Sequence, residues 1–278
     1  MLNSNQAVNN QEHPKKQVEP RKWLCCPYGV FLVLFIIFPI LLIFFYAFSD
    51  STGHLTFQNF IDLFSGNTLN KTFDVILKSL GVAALTTVIC ILIGYPVAYI
   101  LANSKYNKNK ILVYIFLLPM WINFVIRTDA TRQMLLSIGI SYQDNPWVCS
   151  IIGMVYNYLP FTILPLYNTM LKLDKSQIEA AADLGANPVQ VFIKTIVPMT
   201  IPGVISATTM TFMPTMSSYV ITDTLSNGKI VLIGKKIDEA FTKGYFNIGS
   251  VYAIVMLVLI GASVIIERHF TEKKGEAR

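Results

Sequence analysis

Residues 79–102 read SLGVAALTTVICILIGYPVAYILA, a stretch of 24 residues without a charged side chain. As an α-helix rising about 1.5 Å per residue, it is long enough to cross the ~30 Å hydrocarbon layer of a bilayer. Core helices of water-soluble proteins rarely contain so long an apolar run. The stretch therefore predicts a membrane-spanning helix.

Apolar runs of similar character occur on both sides of it. They cover residues 28–48, 111–126, 147–171, 201–221 and 248–266, and the run 111–126 needs flanking residues to complete a crossing. In all, 53% of the 278 residues are apolar and 14% are charged, against roughly a quarter charged in soluble domains. These values disfavour a soluble enzyme and predict an all-α membrane protein with six helices.

The basic residues separate the apolar runs. Lys and Arg exceed Asp and Glu by 22 to 16, but a nucleic-acid-binding protein would gather its cations on one solvated face. If the N-terminus is cytoplasmic, 14 of the 22 cations lie in cytoplasmic segments and 8 in outer ones. This bias predicts a multi-pass protein with both termini in the cytoplasm and no nucleic-acid partner.

Signatures of catalysis and of metal binding are missing from the sequence. The string at 228–236 resembles a phosphate-binding loop but has five residues between its glycines and Lys in place of Ser or Thr. The three histidines lie outside the apolar runs, and no cysteine pair has metal-ligand spacing. We therefore predict no catalytic residue and no metal. An integral-membrane enzyme would need titratable residues clustered inside the spans, and a simple channel remains an alternative.

The segment between the fourth and fifth runs, 173–198, reads LDKSQIEAAADLGANPVQVFIKTIVP and predicts two short helices around a turn. Ser176 is a suitable N-cap, and Glu179 three residues later would complete a capping box. Gly185 stands where a helix ends in the left-handed conformation. Asn187 can cap the second helix, whose amphipathic stretch Pro198 would end.

Two interpretations of this segment remain open on physical grounds. Ala180 and Ala181 are small, so a partner protein could approach the helix closely. The segment could equally be an amphipathic linker at the membrane surface.

The same segment resembles the EAA loop of binding-protein-dependent ABC importer permeases. Thr195 departs from the pattern, which usually has an aliphatic residue there. The residues that match are Glu179, Ala180, Ala181, Gly185 and Pro198.

The resemblance implies the six-helix transmembrane domain of a type I ABC importer, with a cytoplasmic coupling helix between helices 4 and 5 that docks on a separate ATPase. It implies these partners: a second permease subunit of similar fold, two ATPase subunits that use ATP and magnesium, an extracytoplasmic binding protein and the bacterial inner membrane. No cofactor is expected in this chain. The expected organisation is a disordered cytoplasmic tail (1–22), a first helix with its outer loop (23–74), the permease domain (75–268) and a C-terminal tail (269–278).

Shorter strings narrow the resemblance. They are TFQNF at 56–60, GYPVAY at 94–99, LPMWIN at 118–123, VIRT at 125–128 and LPF at 159–161. Together they look most like the first permease subunit of spermidine/putrescine importers, which implies a polyamine-binding protein as partner. Iron, thiamine and sulfate permeases share parts of them, so an importer for another such solute is the alternative.

A polyamine pathway should offer carboxylates, carbonyls and aromatic faces to ammonium groups. Aromatic residues at span ends can instead be interfacial anchors, and an acid there can simply face water. A lone cation in the path would repel the substrate, so Arg127 is expected to pair with Asp129. The candidate pathway residues are Trp121, Asn123, Tyr156, Tyr158, Tyr219 and Asp223.

Overall fold

The computed structural model describes residues 21–50, 52–103 and 111–275. Over these residues the regular structure is helical, apart from one isolated β-bridge between Ser49 and Leu55. The predicted disordered tail at 1–22 lies outside the described residues except for its last two positions, and so do residues 276–278.

Within the described residues there are thirteen α-helices and three short stretches of wider or tighter helix. Val33–Ile37 and Phe192–Ile196 are π-helical, and Leu118–Trp121 is a 3-10 helix. The α-helices are α1 (Arg21–Leu32), α2 (Phe38–Ala47), α3 (Gln58–Leu63), α4 (Gly66–Ala102), α5 (Ile111–Leu117), α6 (Phe124–Ser137), α7 (Pro146–Met170), α8 (Lys175–Asp183), α9 (Pro188–Val191), α10 (Val197–Ser217), α11 (Val220–Ser226), α12 (Ile233–Thr242) and α13 (Phe246–Gly275).

The chain divides after Phe44 into two compact units. The described part of the first unit is one continuous apolar helix, and the second unit holds the remaining helices. In the part of the chain that the structure describes, five helical segments are long and apolar enough to cross a membrane, namely Pro27–Ala47, Thr68–Ala102, Pro146–Met170, Pro188–Ser217 and Phe246–Ile266.

One further crossing, the third along the chain, is made by two helices that meet at a sharp bend. The sequence predicts one short span at 111–126, but Ile111–Trp121 and Phe124–Ser137 meet at 98°. Pro119 lies in the 3-10 turn before the break, and Asn123 begins a new helix because its side chain accepts a hydrogen bond from Val125 N.

Packing shows that this bent pair carries the chain across the bundle. Ala98 and Leu101, near the end of α4, belong to the same buried cluster as Tyr167 and Met170 at the end of α7. Helices α4 and α7 therefore end at the same face of the bundle. Because α7 begins at the opposite face, residues 111–137 must bridge the two, and the predicted count of six crossings is confirmed.

Helices α4, α7 and α10 form the centre of the bundle through small and hydroxylated residues. Thr162 on α7 and Thr211 on α10 share a hydrogen bond of 2.7 Å, and both are fully buried. A Cβ at Gly203 of α10 would lie 2.7 Å from Thr169 Cβ of α7, so only glycine permits this approach. Such close packing is typical of helices in membranes.

Pro198 leads into the fifth span, as expected. Helix continues from Pro188 to Ser217, with Pro198 in the first turn of α10. The π-helical turn before it, in which Val197 N donates to Phe192 O, changes the hydrogen-bond register where proline lacks an N–H. The fifth run ends earlier than predicted, at Ser217, and α11 is a separate helix.

Candidate functional site

The segment 173–198 folds as two short helices, with a start different from the predicted one. Asp174 is the N-cap of α8, since its Oδ1 accepts from Ser176 N at 3.0 Å and from Ser176 Oγ at 2.7 Å. The predicted Ser176–Glu179 capping box is therefore wrong. Asp174 is as good a capping residue, and its negative charge is favoured at a helix N-terminus. The Ser176 hydrogen bonds lower the pKa of the Asp174 carboxyl.

The turn between the helices agrees with the sequence. Gly185 has a φ of +84°, the left-handed conformation predicted for it. Ala186 N donates to Ala181 O at 3.2 Å across the turn. Asn187 caps α9 in a capping box with Gln190, with bonds of 2.8 and 2.9 Å. These contacts all lie within residues 181–190 and give the turn a defined shape.

The outer surface of the loop combines small and large apolar residues. Glu179 and Ala180 are exposed and Ala181 is half-buried. Leu184 is 89% exposed and Val189 is 64% exposed. Leu184 was not among the predicted site residues. A large apolar residue directly before the helix-ending glycine, on an otherwise polar helix, is the signal that could have identified it.

The other side of the loop is attached to the bundle through aromatic rings. Phe192 meets the rings of Tyr95 and Tyr99 on α4 edge-on, with centroids 5.7 and 5.4 Å apart. Tyr95 also shares a 2.6 Å hydrogen bond with Thr200 on α10. A displacement of the loop would therefore reach α4 and α10 directly.

A cavity of about 440 Å³ opens beside the bend between α5 and α6. Three of the predicted pathway residues, Trp121, Asn123 and Tyr158, line it. The side chain of Trp121 is 88% exposed. Tyr158 is held in place by a hydrogen bond of 3.3 Å, which its hydroxyl donates to Pro214 O. The full lining is Met120, Trp121, Ile122, Asn123, Phe124, Arg127, Asn157, Tyr158, Phe161, Ser218 and Ile221.

A buried cation, Arg127, lies in one wall of this cavity, and the sequence analysis did not predict it there. Arg127 Nε donates to Asn157 Oδ1 at 2.9 Å, and the guanidinium also bonds Pro119 O and Asn157 O. The predicted Arg127–Asp129 pair is wrong, since Asp129 instead accepts from Gln133. Tyr156 lies on this cation, with its ring centroid 5.5 Å from Arg127 Cζ. The available signal was an Arg directly after one apolar run and an Asn in the middle of another.

Tyr219 and Asp223 form a separate group around Lys235. Asp223 Oδ2 lies 3.0 Å from Lys235 Nζ, which stands 5.6 Å from the centre of the Tyr219 ring. The Asp223 hydrogen bond raises the pKa of Lys235, and burial, with Asp238, raises the pKa of the Tyr219 hydroxyl. Asp223 is therefore ion-paired. The six pathway candidates do not form one site.

No cluster of three or more metal-ligating side chains occurs among the residues the structure describes.

Residues 91–274 match the family of binding-protein-dependent transport system inner membrane components. The spermidine/putrescine transport system permease protein PotB of Haemophilus influenzae is 32% identical over 256 residues, 84% of this chain and 88% of that protein. PotB of Escherichia coli K12 is 32% identical over 70% of this chain and 76% of its own length.

Solved structures agree on the fold. A bacterial ABC transporter for the acidic polysaccharide alginate superposes with a TM-score of 0.71 at 16% identity, covering 91% of this chain and 96% of that one. The MetNI methionine ABC transporter gives a TM-score of 0.59 at 17% identity, covering 76% and 99%. The predicted ABC importer fold is confirmed. Since the family match spans about two thirds of the sequence, the chain belongs to the binding-protein-dependent transport system inner membrane components.

Proposed function

We propose that this chain is a permease subunit of an ATP-driven polyamine importer and forms half of the pathway for spermidine and putrescine. The observation that carries the proposal is its 32% identity, over 84% of its length, to a protein named as a spermidine/putrescine permease. In the cavity beside the bend, the ring faces of Trp121 and Tyr158 attract ammonium groups, whereas Arg127 in the same wall repels them.

Two features of this chain support the proposal of partner subunits: the missing phosphate-binding loop and the exposed apolar side chains on the segment 173–198. The chain has no phosphate-binding loop, so ATP and magnesium belong to two partner ATPase subunits. The exposed Leu184 and Val189, next to Glu179 and Ala180, offer an apolar surface that fits a cleft in such a partner. A second permease of similar fold and an extracytoplasmic polyamine-binding protein would complete the importer.

This assignment orients the protein in the membrane. If α8 meets an ATPase, the face of the bundle at which α4 and α7 end is cytoplasmic. Helices α11 and α12 have 7 and 10 residues, too few to cross, so α13 begins at the outer face and returns to the cytoplasm. With six crossings, both termini are then cytoplasmic.

Coupling in this scheme is mechanical. Closure of the ATPases on ATP would displace α8, and Gly185 would keep the angle between α8 and α9 fixed. The contacts of Phe192 with Tyr95, and of Tyr95 with Thr200, would carry the displacement into α4 and α10. Glu179, Ala180 and Ala181 would form the docking surface, and Pro198 would stand at the entry of the moving span.

Within the cavity, Trp121 and Tyr158 would bind ammonium groups through their ring faces. The hydrogen bonds to Asn157 and Pro119 hold Arg127 at the wall, so its charge is fixed in position. Its contact with Tyr156 occupies one aromatic face. Asp223, paired with Lys235, would act at the outer end of the path.

ATP hydrolysis by the complete complex in lipid tests the proposal. Hydrolysis should rise when the binding protein is added with spermidine or putrescine, and should not rise with ferric iron, thiamine or sulfate. A complex that assembles but responds only to another of these solutes would refute the polyamine assignment. Failure to assemble with any ATPase would refute the permease mechanism itself.

A further inference from the structure

A second cavity, of about 490 Å³, lies between the end of α2 and the start of α13. Its walls include the rings of Phe45, Tyr46, Tyr245 and Phe246. The rings of Tyr46 and Phe246 are stacked with centroids 5.6 Å apart, although they are 200 positions apart in the chain. Its volume is within the range of small-molecule sites, about 300–1,000 Å³. It is thus a concave site.

The rim of this cavity is polar and held by backbone hydrogen bonds. Asp50 N donates to His54 O at 2.8 Å and Gly53 N donates to Asp50 O at 2.9 Å, while the Asp50 carboxylate accepts a hydrogen bond from Thr52 Oγ1 at 3.4 Å. Asn59 Nδ2 donates to Ala47 O at 3.0 Å and to Ser49 O at 2.8 Å. Both bonds use the amide nitrogen, so Asn59 would contact a ligand through Oδ1. The two side chains therefore bring a carboxylate and an acceptor oxygen to the rim.

These groups share one chemical preference. Ring faces, a carboxylate and an amide oxygen all favour a cation with N–H donors, and none of them favours an anion. Interfacial anchoring would explain the aromatic residues alone, but it requires neither the concave shape nor an acidic residue in its lining. We propose that this cavity binds a primary alkylammonium group, with Asp50 as its counter-ion and the Tyr46 ring as its cation–π partner.

The topology places the cavity at the start of α13, at the end of the bundle opposite α8. Its position at the outer membrane surface rests on the orientation proposed above, whereas the binding does not. Two ligands there carry the required group: the headgroup of phosphatidylethanolamine and a free polyamine. The site is distinct from the cavity beside the bend, with which it shares no residue.

The test uses the full chain in phosphatidylglycerol nanodiscs, a lipid without an ammonium group. Native mass spectrometry measures retention of added phosphatidylethanolamine, and equilibrium dialysis measures binding of labelled putrescine. Asp50→Asn should weaken binding of one of these ligands about tenfold, the loss of a charge-assisted hydrogen bond. Tyr46→Leu should weaken it about threefold, whereas Tyr46→Phe keeps the ring and the affinity.

Asp62→Asn is the matched control, because this exposed carboxylate on α3 is outside the cavity and bonds Gln58. An effect of Asp50→Asn on phosphatidylethanolamine alone identifies a lipid site, and an effect on putrescine alone identifies a second polyamine site. If Asp50→Asn and Asp62→Asn bind both ligands equally, the proposal is overturned. Because the assay needs neither ATP nor a partner subunit, this failure would leave the proposed transport function untouched.

Discussion

Arg127 and Asn157 join the bent crossing to α7, and both are nearly inaccessible, at 7% and 2% exposed. Asn157→Leu keeps the branched heavy-atom shape but removes the acceptor of Arg127 Nε, which leaves a buried charge short of a partner. We expect a loss of about 2–3 kcal/mol in the free energy of unfolding, measured in detergent by denaturant titration. Gln133→Leu, which breaks an exposed bond on α6, should cost less than ~0.5 kcal/mol.

A double variant separates loss of the pair from loss of packing. If unpaired charge is the cause, Arg127→Met combined with Asn157→Leu should be more stable than Asn157→Leu alone, because both partners are then apolar. Additive losses would show that the pair contributes nothing specific.

The ion pair between Lys235 and Asp223 should make the stability of the protein depend on pH. The pKa of Lys235 is raised by Asp223, so this contribution to stability is complete below the ordinary lysine pKa of about 10.4 and is lost as pH rises through the higher folded value. Lys235→Gln should lower the melting temperature at about pH 8 and reduce its further fall above about pH 10.4. Lys236→Gln, whose ion pair with Glu239 spans 3.6 Å within α12, should follow the wild type. Parallel curves for Lys235→Gln and the wild type would contradict the assignment.

Local residue features were predictable where they depend on neighbours in the chain. The left-handed Gly185 and the Asn187 cap follow from sequence distances of a few residues. The choice of Asp174 over Ser176 as N-cap did not, since two adequate capping residues stand close together. The Arg127–Asn157 bond joins residues 30 positions apart, so it depends on helix packing that no local pattern specifies.

Among the elements, the α8–turn–α9 unit can be tested by a single substitution at Gly185 in its turn. A Cβ at Gly185 would meet no atom within 4 Å, so the effect of a substitution there comes only from its φ of +84°. Gly185→Val should strain the turn by about 1–2 kcal/mol and uncouple ATP hydrolysis from transport, while the protein still reaches the membrane. The measurement is substrate-stimulated hydrolysis and uptake by the reconstituted complex.

Gly185→Asn is the matched variant, because asparagine adopts the left-handed conformation more readily than β-branched residues. It should retain more coupling than Gly185→Val. Equal activity of both variants and the wild type would exclude a coupling role for the turn.

Hydropathy predicted where helices cross the membrane but not how they break. The apolar pattern at 111–126 continues through the 98° bend, because Pro119 and Asn123 interrupt hydrogen bonding without interrupting hydrophobicity. Conversely, the helix passes Pro198 without a break because a π-helical turn precedes it, and nothing in the hydropathy of the segment predicts that turn. Backbone hydrogen-bond register, which decides both cases, is weakly encoded in side-chain polarity.

At the scale of the whole molecule, the segment 173–198 is continuous with the two central helices, α7 before it and α10 after it. These helices are closest at Gly203, where a Cβ would lie 2.6 Å from Thr169 Oγ1. Gly203→Leu should push α10 from α7, lower thermal stability and abolish transport, while the α8 surface stays available for the ATPase. Gly81→Leu is the control, since a Cβ there meets nothing within 4 Å. Co-purification with the ATPase, together with uptake, distinguishes the outcomes: retained binding without uptake supports transmission through this contact, and normal uptake would show that α7 and α10 need not pack so closely.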